Sequence, residues 1–382
     1  MKGLFVTDGK LDERAWSGTS MCLYRELGRH FDLAAVEQVV PSWYDLCNEV
    51  VNHLPGRKRL APDRTLPWRR RCAAEVAAAC ERERPDFVFA PGSLSLAFVD
   101  AGVPLFCYID GTVRAISQSY GGWERSDIEK ADALERDALI RTAFVFCASD
   151  WVARSVVGDY SVDPSRIGVV GIGANNEIPV GDFGRVADAR LKSLGGGVRI
   201  LFVGVDWKRK GGADALETLR LLLAAGVPAT LDIVGCEPEI PGDLEGRVTV
   251  HGFLSKEDSG ERRELEGLYL GSHFFLLPTR AECVGSVFCE ASSAGLPVLA
   301  CDVGGVSTVV ERGANGFLLD GPRAFADAIM RFAGDADAYR RLQVSSRELF
   351  LGKLNWRVIG DGMADRIGGF VDGAHAAEFD GR

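Results

Sequence analysis

Two glutamates eight residues apart, Glu282 and Glu290, flank a glycine in the stretch Pro278-Thr279-Arg280-Ala281-Glu282-Cys283-Val284-Gly285-Ser286-Val287-Phe288-Cys289-Glu290-Ala291. A carboxylate accepts two hydrogen bonds at once and so suits a pair of neighbouring hydroxyls, as on a ribose. Gly285 permits close approach to the backbone, and a helix starting at Ser286 and Val287 offers unpaired amides to an anion. Residues 203–212 read Val-Gly-Val-Asp-Trp-Lys-Arg-Lys-Gly-Gly, placing Lys208, Arg209 and Lys210 in a turn between Gly204 and Gly211 that opens a helix. Three cations at the positive end of a helix dipole repel it, and an anionic ligand relieves that conflict. The alternative for Arg209 and Lys210 is a solvated turn. Two further glycine turns are less specific. Ser17-Gly18-Thr19 suits either an anion or sugar-hydroxyl site or an ordinary capped helix. Asp302-Val303-Gly304-Gly305 is a Gly-Gly turn with no chemistry of its own.

Elements able to hold such turns recur along the chain. Short apolar runs at 4–6, 33–40, 87–89, 105–109, 144–147 and 167–170 alternate with helix-length segments, and a second series follows at 200–203, 231–234, 248–251, 274–277, 298–301 and 317–319. Strands apolar throughout, each followed by a helix, form parallel sheets covered on both faces. The fold class expected is therefore α/β, with two Rossmann-like, doubly wound parallel-sheet domains facing a cleft. Ligands then bind beyond the carboxyl ends of the strands. The glycine-rich stretch 171–197 reads as an interdomain hinge. The expected domains are 1–180 for the acceptor, 181–360 for the donor, and a helix and tail, 361–382, returning to the first domain.

Composition narrows the function. A length of 382 residues exceeds one typical domain, and 45 glycines without a low-complexity tract point to turns and ligand loops. A net charge of −10 argues against a nucleic-acid backbone as main partner. Ten dispersed cysteines without a Cys-x-x-Cys pair read as reduced core residues. No uncharged apolar stretch approaches the roughly 18 residues of a membrane span, and no leader is apparent, so the expected compartment is the cytosol. None of the five histidines has neighbours suggesting a metal or a triad; His251 and His273 are expected to be structural. Asp335-Ala336-Asp337 reads as a helix start, and no metal is expected.

Taken together, Ser17-Gly18-Thr19, the 204–211 turn, the Glu282/Glu290 pair with Gly285, Gly295-Leu296-Pro297-Val298 and Asp302-Val303-Gly304-Gly305 resemble a family 4 glycosyltransferase of the GT-B fold. The resemblance spans nearly the whole chain and is most specific over 200–320. It implies that Glu290 holds the ribose hydroxyls of a nucleotide-sugar and Glu282 the hydroxyls of the transferred sugar. Arg209, Lys210 and the amides of Gly285, Ser286 and Val287 would hold the diphosphate, the amides next to Gly18, with Thr19, would complete that site, and Gly204, Cys283 and Val284 would also bind the donor. Gly235, Phe253 and Leu254 are the expected neighbours of the base. The reaction implied is a retaining, metal-independent transfer of a hexosyl unit to an acceptor hydroxyl on a glycan, a lipid-linked saccharide or a small natural product. The nucleotide-sugar is a substrate, so no cofactor is implied.

Two positions depart from the family pattern. Val205 stands where many relatives carry an arginine, and Arg209 could supply that charge. Asp110, in Tyr108-Ile109-Asp110-Gly111-Thr112, stands in place of a frequent histidine and reads as a catalytic acceptor-orienting group or as an Asx turn. Residues 57–71 carry seven cations and one acid. With Leu60, Leu66 and Trp68 among them, Arg57, Lys58, Arg59, Trp68, Arg69 and Arg70 suggest an anionic membrane surface or lipid-phosphate acceptor, against the alternative of a solvated basic loop. Competing functions are a nucleotide-sugar epimerase or phosphorylase on the same fold, or a two-domain sugar-binding protein. A nicotinamide dehydrogenase is disfavoured, because Thr7-Asp8-Gly9-Lys10 stands where a Gly-x-Gly-x-x-Gly turn would begin.

Overall fold

The computed structural model describes residues 1–12, 15–52, 62–121 and 125–380. The chain divides into two compact units, Met1–Gly171 with Trp356–Arg382, and Ile172–Asn355. The division thus falls before residue 180, and the chain re-enters the first unit at Trp356 rather than at 361.

The first unit holds strands β1 (Lys2–Thr7), β2 (Asp32–Glu37), β3 (Phe87–Pro91), β4 (Leu105–Ile109), β5 (Phe144–Cys147) and β6 (Ile167–Val169). All pair in parallel, in the order β2-β1-β3-β4-β5-β6. Its helices are α1 (Thr19–Leu27), α2 (Ser42–Asn52), α3 (Leu66–Glu83), α4 (Val113–Tyr120), α5 (Arg125–Arg141) and α6 (Asp150–Tyr160). The central strands β3, β4 and β5 are buried along their whole length, while edge strand β2 has only half-buried and exposed residues. That difference is what helices on both faces of a sheet produce, and it explains the continuous apolar runs in the sequence.

The second unit begins with α7 (Phe183–Leu194). The glycine-rich stretch expected to be a hinge therefore contains a helix, capped by Asp182 accepting the Arg185 amide at 3.2 Å. Arg190 on that helix is fully buried, and its guanidinium donates to the carbonyls of Gly295, Ala294 and Tyr269 and to Gln343 Oε1 at 3.0–3.2 Å. A buried guanidinium held by five acceptors, the Leu270 carbonyl at 3.3 Å among them, anchors the segment, and its flanking glycines hid that from the sequence. Strands β7 (Val198–Val203), β8 (Ala229–Val234), β9 (Val248–Gly252), β10 (Phe274–Leu277), β11 (Val298–Ala300) and β12 (Gly316–Leu318) follow. Helices α8 (Gly212–Ala224), α9 (Ser259–Gly271), α10 (Ser286–Ser293), α11 (Gly321–Ala333) and α12 (Ala336–Gly352) cover them, and α13 (Trp356–Asp380) lies in the first unit against α1.

The strand order of the second sheet, β12-β11-β10-β7-β8-β9, reverses direction between β7 and β10. In a doubly wound sheet the loops leaving the strands on either side of such a reversal diverge and open a crevice at their carboxyl ends. The cationic turn leaves β7 and the glutamate loop leaves β10, so the topology puts both at this one place.

His251 and His273 have the structural roles expected of them. His273 is buried, its Nδ1 accepting the Arg199 amide at 2.8 Å, and burial with the nearby Arg199 and Arg190 charges lowers its pKa to about 4. His251 bridges Asp232 at 2.9 Å and Glu264 at 3.0 Å, tying α9 to β8 and β9. Burial opposes its charge, but the two carboxylates outweigh that and raise its pKa above the ordinary value. Its contribution to stability is complete below the unfolded value of about 6.5 and is lost as pH rises through the higher folded value. The difference in melting temperature between wild type and His251→Gln should accordingly be largest near pH 6 and shrink by about pH 8.5. A pH-independent difference would sink this assignment.

Candidate functional site

The cationic turn and the glutamate loop are joined along their backbones. The Arg280 amide donates to the Arg209 carbonyl at 2.8 Å, and Gly211, in the left-handed region at φ 75°, lies so close to Pro278 that a Cβ would sit 1.9 Å from its carbonyl oxygen. Gly304, at φ 56°, approaches Glu282 in the same way, with a Cβ falling 1.8 Å from the Glu282 carbonyl. The Gly-Gly turn that said nothing chemical in the sequence thus lets the backbone press against the residue carrying the acid.

That acid meets the cations directly. Lys210 Nζ donates to Glu282 Oε2, and Arg209 Nη1 lies 3.6 Å from the same oxygen while donating to the Ala281 carbonyl at 3.0 Å. Lys210 and Glu282 are both buried, Arg209 is half-buried and Lys208 exposed. The clash between three cations and the helix dipole is therefore already offset inside the protein: Glu282 serves two of them, and Asp206 lies 3.5 Å from Arg209 Nε. A ligand is not needed to explain the cations, as the sequence had suggested. Lys210, Arg209 and Glu282 instead form a charge cluster that is paired within the protein.

Helix α10 begins at Gly285, which adopts φ 92° and caps it without a side chain. The backbone at Ser286 and Val287 therefore forms a helix start beside Glu282, the geometry that favours anion binding. One turn on, Glu290 is completely buried. Its Oε1 accepts from Lys256 Nζ at 2.5 Å and from the Asn176 amide at 3.2 Å, and its Oε2 accepts from the Tyr269 hydroxyl at 3.1 Å. Burial and the Glu290 charge push the Tyr269 phenol well above its ordinary pKa, which keeps it a donor. Glu290 thus faces the interior rather than solvent. Both oxygens, however, face protein donors, so a diol could be held only by exchange with Lys256, whose side chain is one-third exposed. Sequence reasoning missed Lys256, Tyr269 and Asn176. Their places on three separate segments left no local signal, although Lys256 stands two residues beyond the expected base neighbour Leu254.

Residues 197–335 match the family model described as Glycosyl transferases group 1. Among curated relatives, the D-inositol 3-phosphate glycosyltransferase of Corynebacterium glutamicum is 25% identical over 247 residues, 60% of this chain and 59% of the relative. The chain thus spans a little over half the length of that relative. Among solved structures, Anabaena Alr3699/HepE in complex with UDP superposes with a TM-score of 0.68 at 17% identity, covering 97% of this chain and all of the other. Sucrose-phosphate synthase from Thermosynechococcus elongatus follows at a TM-score of 0.65 and 19% identity, covering 99% and 100%. The fold is that of GT-B glycosyltransferases, in agreement with the resemblance drawn from the motifs.

The second unit also holds the residues expected near a base. Gly235, at φ 96°, packs against Gly204 so tightly that a Cβ would lie 2.8 Å from its carbonyl oxygen; Leu254 is buried and Phe253 is 68% exposed. A cavity of about 550 Å³ lies next to them, lined by Val205, Asp206, Trp207, Lys208, Cys236, Glu237 and Pro238. Asp335, the candidate acid in the helical tail, caps α12 by accepting the Ala338 amide at 2.9 Å.

In the first unit, Gly18 rather than Ser17 or Thr19 caps α1, with no side-chain bond, and Thr19 is buried. Trp16, Ser17 and Gly18 all have positive φ (50°, 56° and 94°). Such conformations cost roughly 1–3 kcal/mol each at non-glycine residues and persist only where neighbours enforce them. The Trp16 indole N–H donates to Asp110 Oδ2 at 3.0 Å, and its ring lies 5.8 Å from that of Tyr108. Asp110 therefore fastens the 16–18 turn, a role neither of its sequence readings contained. The basic segment is corrected more sharply. Arg57, Lys58 and Arg59 lie outside the described residues, but Trp68 and Arg69 are buried on the inner face of α3. Arg69 donates to Asp8 Oδ2 at 2.7 Å and to Gln38 Oε1 at 3.2 Å. A guanidinium matched to a carboxylate inside the protein is no surface contact, because α3 turns every third or fourth residue inward. Arg70 is exposed.

Proposed function

We propose that the protein is a retaining, metal-independent glycosyltransferase that moves a hexosyl unit from a nucleoside-diphosphate sugar to the hydroxyl of a small-molecule acceptor. The observation that carries this reading is the array of Lys210, Arg209 and Glu282 beside the α10 start, at the strand-order reversal of the second sheet. Breaking the bond between sugar and phosphate leaves negative charge on the departing diphosphate and positive character on the sugar ring. Fixed cations and helix amides stabilise the first, and the Glu282 carboxylate the second, more in the transition state than in the ground state. Two cations and a helix start supply the charge that a divalent ion would otherwise bring. Glu290 lies one helical turn on, with Lys256 bonded to it, and in this reading holds the ribose of the donor. The retaining outcome rests on the resemblance of the motifs to family 4. The relatives named D-inositol 3-phosphate glycosyltransferase support a small polyol as acceptor, and the Anabaena protein, also solved in complex with UDP-glucose, supports a UDP-sugar as donor. In this reading the protein acts in the cytosol, in peripheral contact with a membrane; among the described residues no helix is long and apolar enough to cross one.

The test is a thermal-shift screen of UDP-, GDP-, ADP- and TDP-sugars with NAD as a counter-ligand. A donor at a hundred times its Kd should stabilise the protein by about 2.7 kcal/mol. Stabilisation by NAD alone, or by none of the panel, overturns the proposal, as would a requirement for added metal after treatment with EDTA.

A further inference from the structure

Tyr269 and Glu290, whose side chains meet at 3.1 Å, stand on different helices, so their bond depends on how α9 is held against α10. Arg190 of α7 grips both helices at their carboxyl ends. Its Nη2 donates to the Tyr269 and Leu270 carbonyls at 3.1 and 3.3 Å, in the last turn of α9, and to the carbonyl of Ala294, where α10 ends, at 3.2 Å. Its Nη1 donates to the Gly295 carbonyl at 3.0 Å and to Gln343 Oε1 at 3.1 Å. Carbonyls at a helix end have no partner within the helix, and the dipole favours a cation there. One planar group therefore spans the ends of both helices, and the backbone it holds on α9 is that of Tyr269 itself. Gly295 makes the approach possible. At φ 60°, a Cβ there would lie 2.4 Å from the ring of Phe183, on the same helix as Arg190. A second guanidinium, from Arg347 on α12, donates to the Ser293 carbonyl at the end of α10.

We propose that Arg190 is a positioning residue for the donor site: through the ends of α9 and α10 it sets the Tyr269 hydroxyl against Glu290 and so aims the carboxylate at the donor ribose. The inference rests on the role proposed above for Glu290. Arg190 is only 2% exposed, so it acts through the two helices and not on the ligand. The demand on it is geometric. Glu290 Oε1 serves Lys256 and the Asn176 amide, while Oε2 takes its direction from Tyr269, so a shift of either helix end turns the carboxylate relative to Lys256. Lysine is no substitute here, because an ammonium is a point charge on a flexible stem and cannot bond this set of carbonyls in one plane.

The test uses the full-length protein and whichever UDP-, GDP-, ADP- or TDP-sugar stabilises the wild type most, with Kd measured calorimetrically below the melting temperature of each variant. Arg190→Lys should weaken donor binding about tenfold and leave the affinity for inorganic pyrophosphate, which has no ribose, within about twofold. Gln343→Ala, a milder change that releases one bond of the same guanidinium, should weaken donor binding about threefold and gives the answer if Arg190→Lys does not fold. Tyr269→Phe should resemble Arg190→Lys, and the double variant should be no more than about twofold worse than either, because both changes act on one contact. Leu342→Ala, at a buried position of α12, should lower the melting temperature without changing donor affinity, which separates lost stability from lost position. Unchanged donor affinity in Arg190→Lys or Gln343→Ala, an equal loss for pyrophosphate, effects that multiply in the double variant, or an equal loss in Leu342→Ala overturns the inference and leaves the transferase reading standing. A wild type that binds none of the nucleotide-sugars overturns that reading, and this inference with it.

Discussion

Lys210→Ala should lower the rate of sugar transfer by about 10²–10³-fold, the usual effect of removing one preorganised group that stabilises charge in a transition state. The size follows from where the ammonium sits. It is buried against Glu282, and its stem passes Gly204 so closely that a Cβ on that glycine would lie 2.9 Å from Lys210 Cγ. Arg209, 3.6 Å from the same carboxylate oxygen, remains to balance Glu282. The loss of stability should therefore fall below the roughly 3–5 kcal/mol of a fully orphaned buried charge. Steady-state kinetics beside thermal melts separates the two effects: kcat should fall far more than the melting temperature explains. A variant transferring sugar at the wild-type rate would mean that Lys210 serves only to neutralise Glu282. Lys210→Arg should recover part of the stability and little of the rate, because a planar guanidinium does not fit the path of the lysine stem.

Glu290→Ala should be the more damaging change to the fold. It strands the Tyr269 hydroxyl and the Asn176 amide, and it frees Lys256 from its counter-charge. Unsatisfied buried groups of this kind cost about 1–3 kcal/mol each, so a total near 3–5 kcal/mol is expected. In a unit of this size that corresponds to a fall in melting temperature of roughly 10 °C. Glu290→Gln keeps the volume but presents amide hydrogens to groups that are themselves donors, so it should recover only part of the loss. If Glu290 also engages the donor nucleoside, neither variant should be stabilised by the nucleotide-sugar that stabilises wild type, even well below its own melting temperature. A donor-induced shift of wild-type size in both would confine Glu290 to a structural role.

The site was unevenly visible in the chain. The 204–211 and 278–290 segments could be read because each is local: a strand end, glycines at positive-φ turns and charged residues occupy consecutive positions. Trp16 could not be read, because its bond to Asp110 spans 94 residues and its backbone conformation is one that its residue type disfavours. Lys256 was hidden for a similar reason, since its partner lies 34 residues away on another element. The basic segment misled in the opposite direction. Composition counts Arg69 as surface charge, and only the packing of α3 reveals that it faces Asp8 and Gln38.

From the order of its residues alone, this chain determined its alternating strands and helices and the two parallel sheets. Each of those follows from hydrophobic periodicity and backbone preference, which act over a few residues. Which charges meet was decided only on folding. Lys210 reaches Glu282 because the strand order reverses between β7 and β10; Gly211 lets those two loops approach more closely than any side chain would allow, and Gly304 lets a third loop press on Glu282. Electrostatic pairing depends on distance in space, and distance in space is set by topology rather than by neighbouring residues.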